Sequence, residues 1–101
     1  MKWYNYVAAF FAGVFLCNAI PHFISGVSGN WLPTPFSDPP GNGLSSPLMN
    51  LIWALINLTV GFLLFYLAKV SLKNKLIFTV FIIGALIMSV LLSLTWQNKL
   101  M

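Results

Sequence analysis

Three long stretches of this chain contain no charged residue, and they leave it few ways to fold. They cover residues 4–24, 48–68 and 76–96. Each is close to the ~20 residues with which an α-helix crosses the ~30 Å hydrocarbon core of a bilayer. Because no water is available there, the backbone amides of such a stretch must be satisfied inside a helix. The sequence therefore predicts an all-α integral membrane protein with three transmembrane helices.

The composition points to the same class of protein. Hydrophobic residues make up 59% of the 101-residue chain and charged residues only 6%, whereas about 25% of a typical soluble domain is charged. A chain of this length has room for one compact unit, so we expect a single transmembrane domain over residues 1–101. Its basic residues are dispersed lysines that form no basic stripe, so we predict no nucleic-acid partner.

The positions of the lysines predict the orientation of the helices. Cytoplasmic loops of membrane proteins carry an excess of basic residues. Four lysines lie before the first stretch or between the second and third, namely Lys2, Lys69, Lys73 and Lys75. Only Lys99 lies on the opposite side. We expect an inner, cytoplasmic-type membrane, with the N-terminus in the cytoplasm and both the long first loop and the C-terminus outside.

Small and amide side chains recur along these stretches at helical spacing. Helices in lipid gain little from hydrophobic contact with one another, so their interfaces favour small or weakly polar residues. The second stretch carries the stripe Asn50, Ala54, Asn57 and Gly61, and the third carries Ala85, Ser89 and Ser93. The first offers the pair Ala9 and Gly13. We predict that these faces pack helices together within a subunit or between subunits, or that they line a cavity or pore.

The segment "NAIPHFISG" places the single histidine directly after a proline. Pro21 lacks an N–H and should kink or end the helix, leaving the Cys17 carbonyl without its usual donor. Asn18 and His22 are four residues apart and would share a helix face. Near the outer boundary of the bilayer, His22 has two interpretations. It either caps a broken helix, or it acts as a proton relay, a haem or metal ligand, or a ring at a pore mouth.

Residues 25–47 form a connection rich in proline and glycine. The segment is longer than most connections within a compact domain, yet it carries apolar residues such as Trp31 and Phe36 that favour the membrane surface or the helix ends over water. We expect an ordered outer loop that covers the helix ends. Asp38, before two prolines, is expected to be a turn residue, and Ser45 or Ser46 is expected to cap the second helix.

The inventory of reactive side chains is too short for most catalytic sites. One Asp, one His, one Cys and no Glu supply neither a pair of carboxylates nor the three or four ligands of a zinc site. We therefore expect a non-enzymatic membrane subunit that acts through helix packing, in a homo-oligomer or in a larger complex. One alternative is a homo-oligomeric pore lined by Asn50 and Asn57 with His22 near its outer mouth. A second is a haem or chlorin carrier that uses His22 as ligand; no other cofactor is expected.

Overall fold

The computed structural model describes residues 1–96, and the regular structure within them is helical. The helices are α1 (Trp3–Ser28), α2 (Pro47–Leu67) and α3 (Lys75–Trp96). An isolated antiparallel bridge between Leu32 and Ser45 is the only strand-like pairing in this part of the chain. All three helices are long and apolar enough to cross a membrane. The predicted all-α class with three such helices is confirmed, and its apolar helices suggest an integral membrane location.

Helix α1 continues through Pro21 and ends only at Ser28, which corrects the helix end expected near residue 24. Proline removes one backbone hydrogen bond, but burial continues beyond it at His22 and Ser25, so packing holds both sides of the proline in one helix. Gly29 then ends α1 in the left-handed conformation, with φ of 74° and its N–H donated to the Ser25 carbonyl. Glycine is the residue preferred at this position. The first loop therefore begins at residue 29 rather than 25.

Side chains cap the other two helices at their N-termini. Of the two serines proposed to cap α2, Ser46 accepts a hydrogen bond from the Met49 N–H at 3.2 Å, and Pro47 occupies the first helical turn. This is the preferred order of residues at a helix start. At α3, the Asn74 side-chain oxygen accepts from the Ile77 N–H at 3.3 Å.

Helix α1 is the centre of the fold, and α2 and α3 each pack against it. The contact with α3 is formed by backbone against backbone. A β-carbon on Gly13 would collide with the carbonyl oxygen of Phe81, and one on Gly84 would collide with the carbonyl oxygen of Phe10. Small residues such as glycine let the backbones of two helices approach this closely. Between α2 and α3, the Phe65 ring meets that of Phe81 edge-on, with centroids 5.2 Å apart.

The contact between α1 and α2 follows the small residues of α2. A β-carbon on Gly61 would lie 2.6 Å from the Leu16 Cδ2 atom, and one on Gly26 of α1 would lie 2.8 Å from the Leu51 Cβ atom. Gly61 therefore serves contact within the subunit. The sequence left open whether this stripe packs within or between subunits, and at Gly61 the packing is internal.

The two ends of the helical unit differ in charge. At one end the Asn5 side chain donates to the Leu67 carbonyl at 3.5 Å, and Ala9, Ala68 and Ile77 form a buried cluster where all three helices meet. Lys2, Lys69, Lys73 and Lys75 all belong to this end. The loop of residues 29–46 lies at the other end. Lys99 lies outside the described residues, and the inner membrane and the direction of insertion stay predictions.

Candidate functional site

Four polar side chains gather where α1 meets α2, and we refer to Asn18, His22, Asn50 and Asn57 as the polar seam. His22, Asn50 and Asn57 are each exposed by 2% or less, and Asn18 is half-buried. All four side chains make hydrogen bonds. Burial of such groups without partners would cost several kcal/mol each, on the order of 2–7. The seam therefore stabilises the helix pair only as a complete network.

Asn50 is the hub of this network because it joins α1, α2 and both ends of the loop. Its Nδ2 atom lies 3.1 Å from the Leu32 carbonyl oxygen, 3.0 Å from that of Ser45 and 3.1 Å from that of Ser46. Three acceptors around Nδ2 fix the orientation of the amide, so its oxygen faces α1. That oxygen lies 2.6 Å from Nδ1 of His22. Since the amide oxygen can only accept, His22 Nδ1 carries the proton and donates it.

His22 is enclosed by the fold. Within residues 1–96 its ring makes one hydrogen bond, at Nδ1. The Trp96 ring of α3 stands edge-on to it, with centroids 5.5 Å apart and planes at 88°. At 2% exposure the ring offers almost no surface to a ligand. This arrangement gives no support to a haem or chlorin ligand, and residues 1–96 contain no group of three His, Cys, Asp or Glu side chains that could hold a metal ion.

The second pair of the seam, Asn18 with Asn57, lies farther from the loop than His22 and Asn50. The Asn18 side chain donates to the Asn57 side-chain oxygen at 3.1 Å. The Asn57 amide donates to the Trp53 carbonyl at 2.8 Å, one turn earlier in α2. The Asn57 side chain therefore has a partner at both its oxygen and its nitrogen, although it lies among apolar helices. Asn18 and His22 do share a face, but each pairs with a different asparagine of α2.

The predicted stripe on α2 faces inward. Asn50, Ala54, Asn57 and Gly61 are the buried residues of that helix. A residue lines a pore between subunits only if it lies on the surface of the subunit. Asn50 and Asn57 do not lie there, so their placement gives no support to the pore alternative.

The predicted ridge on α3 does not form the main contact of that helix. Ala85 is half-buried, and Ser89 and Ser93 are exposed. The residues of α3 that are buried are Ile77 and Gly84. Sequence reasoning missed Gly84, although a glycine in the middle of an apolar helix is the strongest available signal of close backbone approach. The serines instead border a shallow groove with Cys17 and Pro21 of α1.

The loop contains a hydroxyl network that sequence reasoning also missed. Thr34 and Ser45 hydroxyls lie 2.6 Å apart, and the Ser37 hydroxyl donates to the Thr34 carbonyl at 2.7 Å. These three residues are buried. The Phe36 ring meets Trp53 of α2 edge-on, with centroids 5.5 Å apart. Of the loop residues singled out from the sequence, Trp31, Phe36 and Asp38 are all exposed.

The polar seam is built to hold helices and loop together. Its donors and acceptors face one another across α1 and α2. Comparison of the chain with protein-family models, curated proteins and solved structures finds no match.

Proposed function

We propose that the protein is a small, non-enzymatic integral membrane subunit that acts through helix packing, as a homo-oligomer or as an accessory subunit of a larger membrane complex. The observation that supports this most directly is the internal pairing of the polar seam. Side chains that are buried and paired in this way contribute to the fold rather than to reactions at a surface. The remaining reactive groups are few: Asp38 is exposed in the loop and Cys17 is half-buried in α1.

Helix α3 is the element through which we propose that the subunit associates. It packs on α1 through Gly84, while Ser89 and Ser93 are exposed along the shallow groove between α3 and α1. The Ser89 hydroxyl donates to the Leu86 carbonyl of its own helix at 2.7 Å, which makes this position compatible with a lipid environment. Small side chains at these positions would let a neighbouring helix approach closely.

The test is the mass of the intact assembly in mild detergent after gentle extraction. We expect the natural chain to run well above the 11.2 kDa of one copy, and Ser89→Leu with Ser93→Leu to shift it toward that mass, because the larger side chains block close approach. Thr59→Leu is the matched control. Thr59 is also exposed and also bonds to its own helix backbone, but it lies on α2.

Two results would overturn the proposal. One is a natural chain that runs as a single copy, with no protein copurifying from its native membrane. The other is a serine double variant that keeps both the mass and the copurifying proteins of the natural chain. Gly61→Leu is unsuitable as an assembly probe, because its side chain would collide with Leu16 inside the subunit.

A further inference from the structure

The lysine-bearing end of the molecule contains an open cleft between α1 and the turn after α2. Its walls are Met1, Lys2, Tyr4, Asn5, Leu67 and Lys69, and its volume is about 730 Å³. That is far more than the ~30 Å³ that a single water occupies in the liquid. The cleft therefore has room for a group as large as a lipid headgroup.

The positive charge around this cleft has no acidic partner within the described residues. Lys2 and Lys69 lie in its walls, and Lys73 and Lys75 follow in the turn to α3. The one acidic residue of the chain, Asp38, lies in the loop at the opposite end. The first turns of α1 and α3 also begin at this end and contain no acidic residue. Helix N-termini carry partial positive charge, so those of α1 and α3 add to the field of the lysines, while the C-terminus of α2 at Leu67 contributes partial negative charge.

Lys69 lies in the wall of the cleft with a strained backbone conformation. Its φ is 57°, a left-handed conformation, and it directly follows Ala68, the cap residue of α2. Glycine or asparagine is usual just after a helix in this conformation, because a β-carbon there comes too close to the following carbonyl oxygen. The chain carries a lysine where glycine would be easier, and that lysine faces the cleft that Lys2 also lines.

We infer that this cleft binds the phosphate headgroup of one anionic phospholipid. The ammonium groups of Lys2 and Lys69 supply positive charge for the negative phosphate. Tyr4 of α1 and Leu67 of α2 add side-chain carbon atoms to the wall of the cleft. Basic pockets beside transmembrane helices at the membrane surface are known to suit such headgroups. The inference rests on the proposed membrane location but not on the proposed assembly with a partner.

A lipid fits this cleft better than a free phosphate ion because the apolar surface continues beyond it. From Tyr4 along α1, Val7 and Phe11 follow at helical spacing and are exposed, and from Leu67 back along α2, Leu63 follows in the same way. A bound lipid would place its acyl chains along these residues while its phosphate meets the lysines. A free phosphate ion would interact with the lysines but not with these apolar residues.

The experiment is native mass spectrometry of the purified protein in detergent, titrated with phosphatidylglycerol and, in parallel, with phosphatidylcholine. We expect a one-to-one adduct with phosphatidylglycerol at concentrations where phosphatidylcholine adds little. Lys2→Gln with Lys69→Gln should weaken the adduct about twenty-fivefold, since each lysine near an anionic surface contributes about fivefold. The arginine pair Lys2→Arg with Lys69→Arg, which keeps the charge, should retain most of the binding.

The matched control is Lys73→Gln with Lys75→Gln, which removes the same charge from the same end but outside the cleft. Equal weakening by both glutamine pairs would overturn the inference. It would show that the lipid responds to the overall positive charge of this end and not to a specific site. Displacement of the lipid by millimolar inorganic phosphate would overturn the choice of a lipid. The same spectra also give the number of protein copies in each complex. A variant that loses the lipid can therefore be distinguished from one that loses the assembly.

Discussion

At the residue scale, two asparagines that look alike in the sequence have different structural roles. Asn57 pairs with one side chain and one carbonyl, whereas Asn50 joins α1, the start of α2 and both ends of the loop. The helical period predicts that both face the same side of α2, and both are buried. Two partners of Asn50, Ser46 and Ser45, lie 4 and 5 residues away in the chain, but Leu32 and His22 lie 18 and 28 residues away. No local pattern contains that information.

Replacement of Asn50 by leucine should destabilise the protein more than the same replacement of Asn57. Asn50→Leu leaves the Ser45 carbonyl and His22 Nδ1 without their partner, while the Leu32 and Ser46 carbonyls keep a backbone donor. We expect a loss of about 3 kcal/mol in the free energy of unfolding. Asn57→Leu removes fewer bonds, and we expect about 1–2 kcal/mol. Denaturant titration in detergent measures both. Asn42→Leu, at an exposed loop position, should change the free energy little. The reverse order of the two buried variants would contradict the hub role of Asn50.

The left-handed conformation of Lys69 leads to a second prediction at this scale. Lys69→Gly should raise the free energy of unfolding by up to about 1 kcal/mol, because glycine adopts a positive φ without steric cost. Unfolding in detergent without added lipid measures this effect. Lys73→Gly, at a turn residue for which the structure shows no positive φ, should give no such gain. A loss of stability in Lys69→Gly would show that the lysine side chain stabilises the fold itself.

At the scale of elements, the helices themselves were predictable, but the packed face of α3 was not. Length and apolar composition predict each helix, because the backbone amides of a helix are hydrogen-bonded to residues a few positions away in the same segment. Which face packs depends on the partner. Gly84 packs because its lack of a side chain lets α3 approach the Phe10 backbone of α1, whereas Ser89 and Ser93 stay exposed. Of the two effects expected of Pro21, a kink or an end of α1, the end does not occur, because α1 continues to Ser28 with buried residues on both sides of the proline.

Gly84→Ala should loosen α3 from α1 while α1 and α2 stay together. The new β-carbon would collide with the Phe10 carbonyl, which belongs to helical backbone and cannot yield easily. We expect a destabilisation of about 1–3 kcal/mol, as for an overpacked core. Hydrogen exchange should show faster exchange in α3 and little change in α2. Ser89→Ala, at an exposed position of α3, is the control. Equal loss of protection in α2 and α3 would mean that the three helices unfold as one unit.

At the scale of the whole molecule, the helical unit has one end with lysines and one end with the loop. This polarity follows from the antiparallel order of three helices of similar length and from the positions of the lysines. Because cytoplasmic loops of membrane proteins carry an excess of basic residues, the end with the lysines should face the cytoplasm. The cleft between Lys2 and Lys69 would then open toward the inner leaflet, where anionic lipids would meet it.

Cysteine labelling in intact cells tests this orientation. In a Cys17→Ser background, Pro40→Cys should react with a membrane-impermeant thiol reagent, and Lys73→Cys should react only after the membrane is opened. Both positions are exposed in the structure, so access depends on the membrane alone. Reaction of both cysteines in intact cells would contradict the predicted crossing of the membrane.

The sequence by itself determined the three helices, the shared face of the small and amide residues on α2, and the separation of the lysines from the loop. Each of these depends on residues close together in the chain or on simple helical periodicity. The tertiary structure decided the rest: that α1 passes through Pro21, that α3 packs through Gly84, and that His22 meets Asn50. These outcomes depend on contacts between residues far apart in the chain, because a backbone carbonyl or a buried amide selects its partner only after the helices have come together.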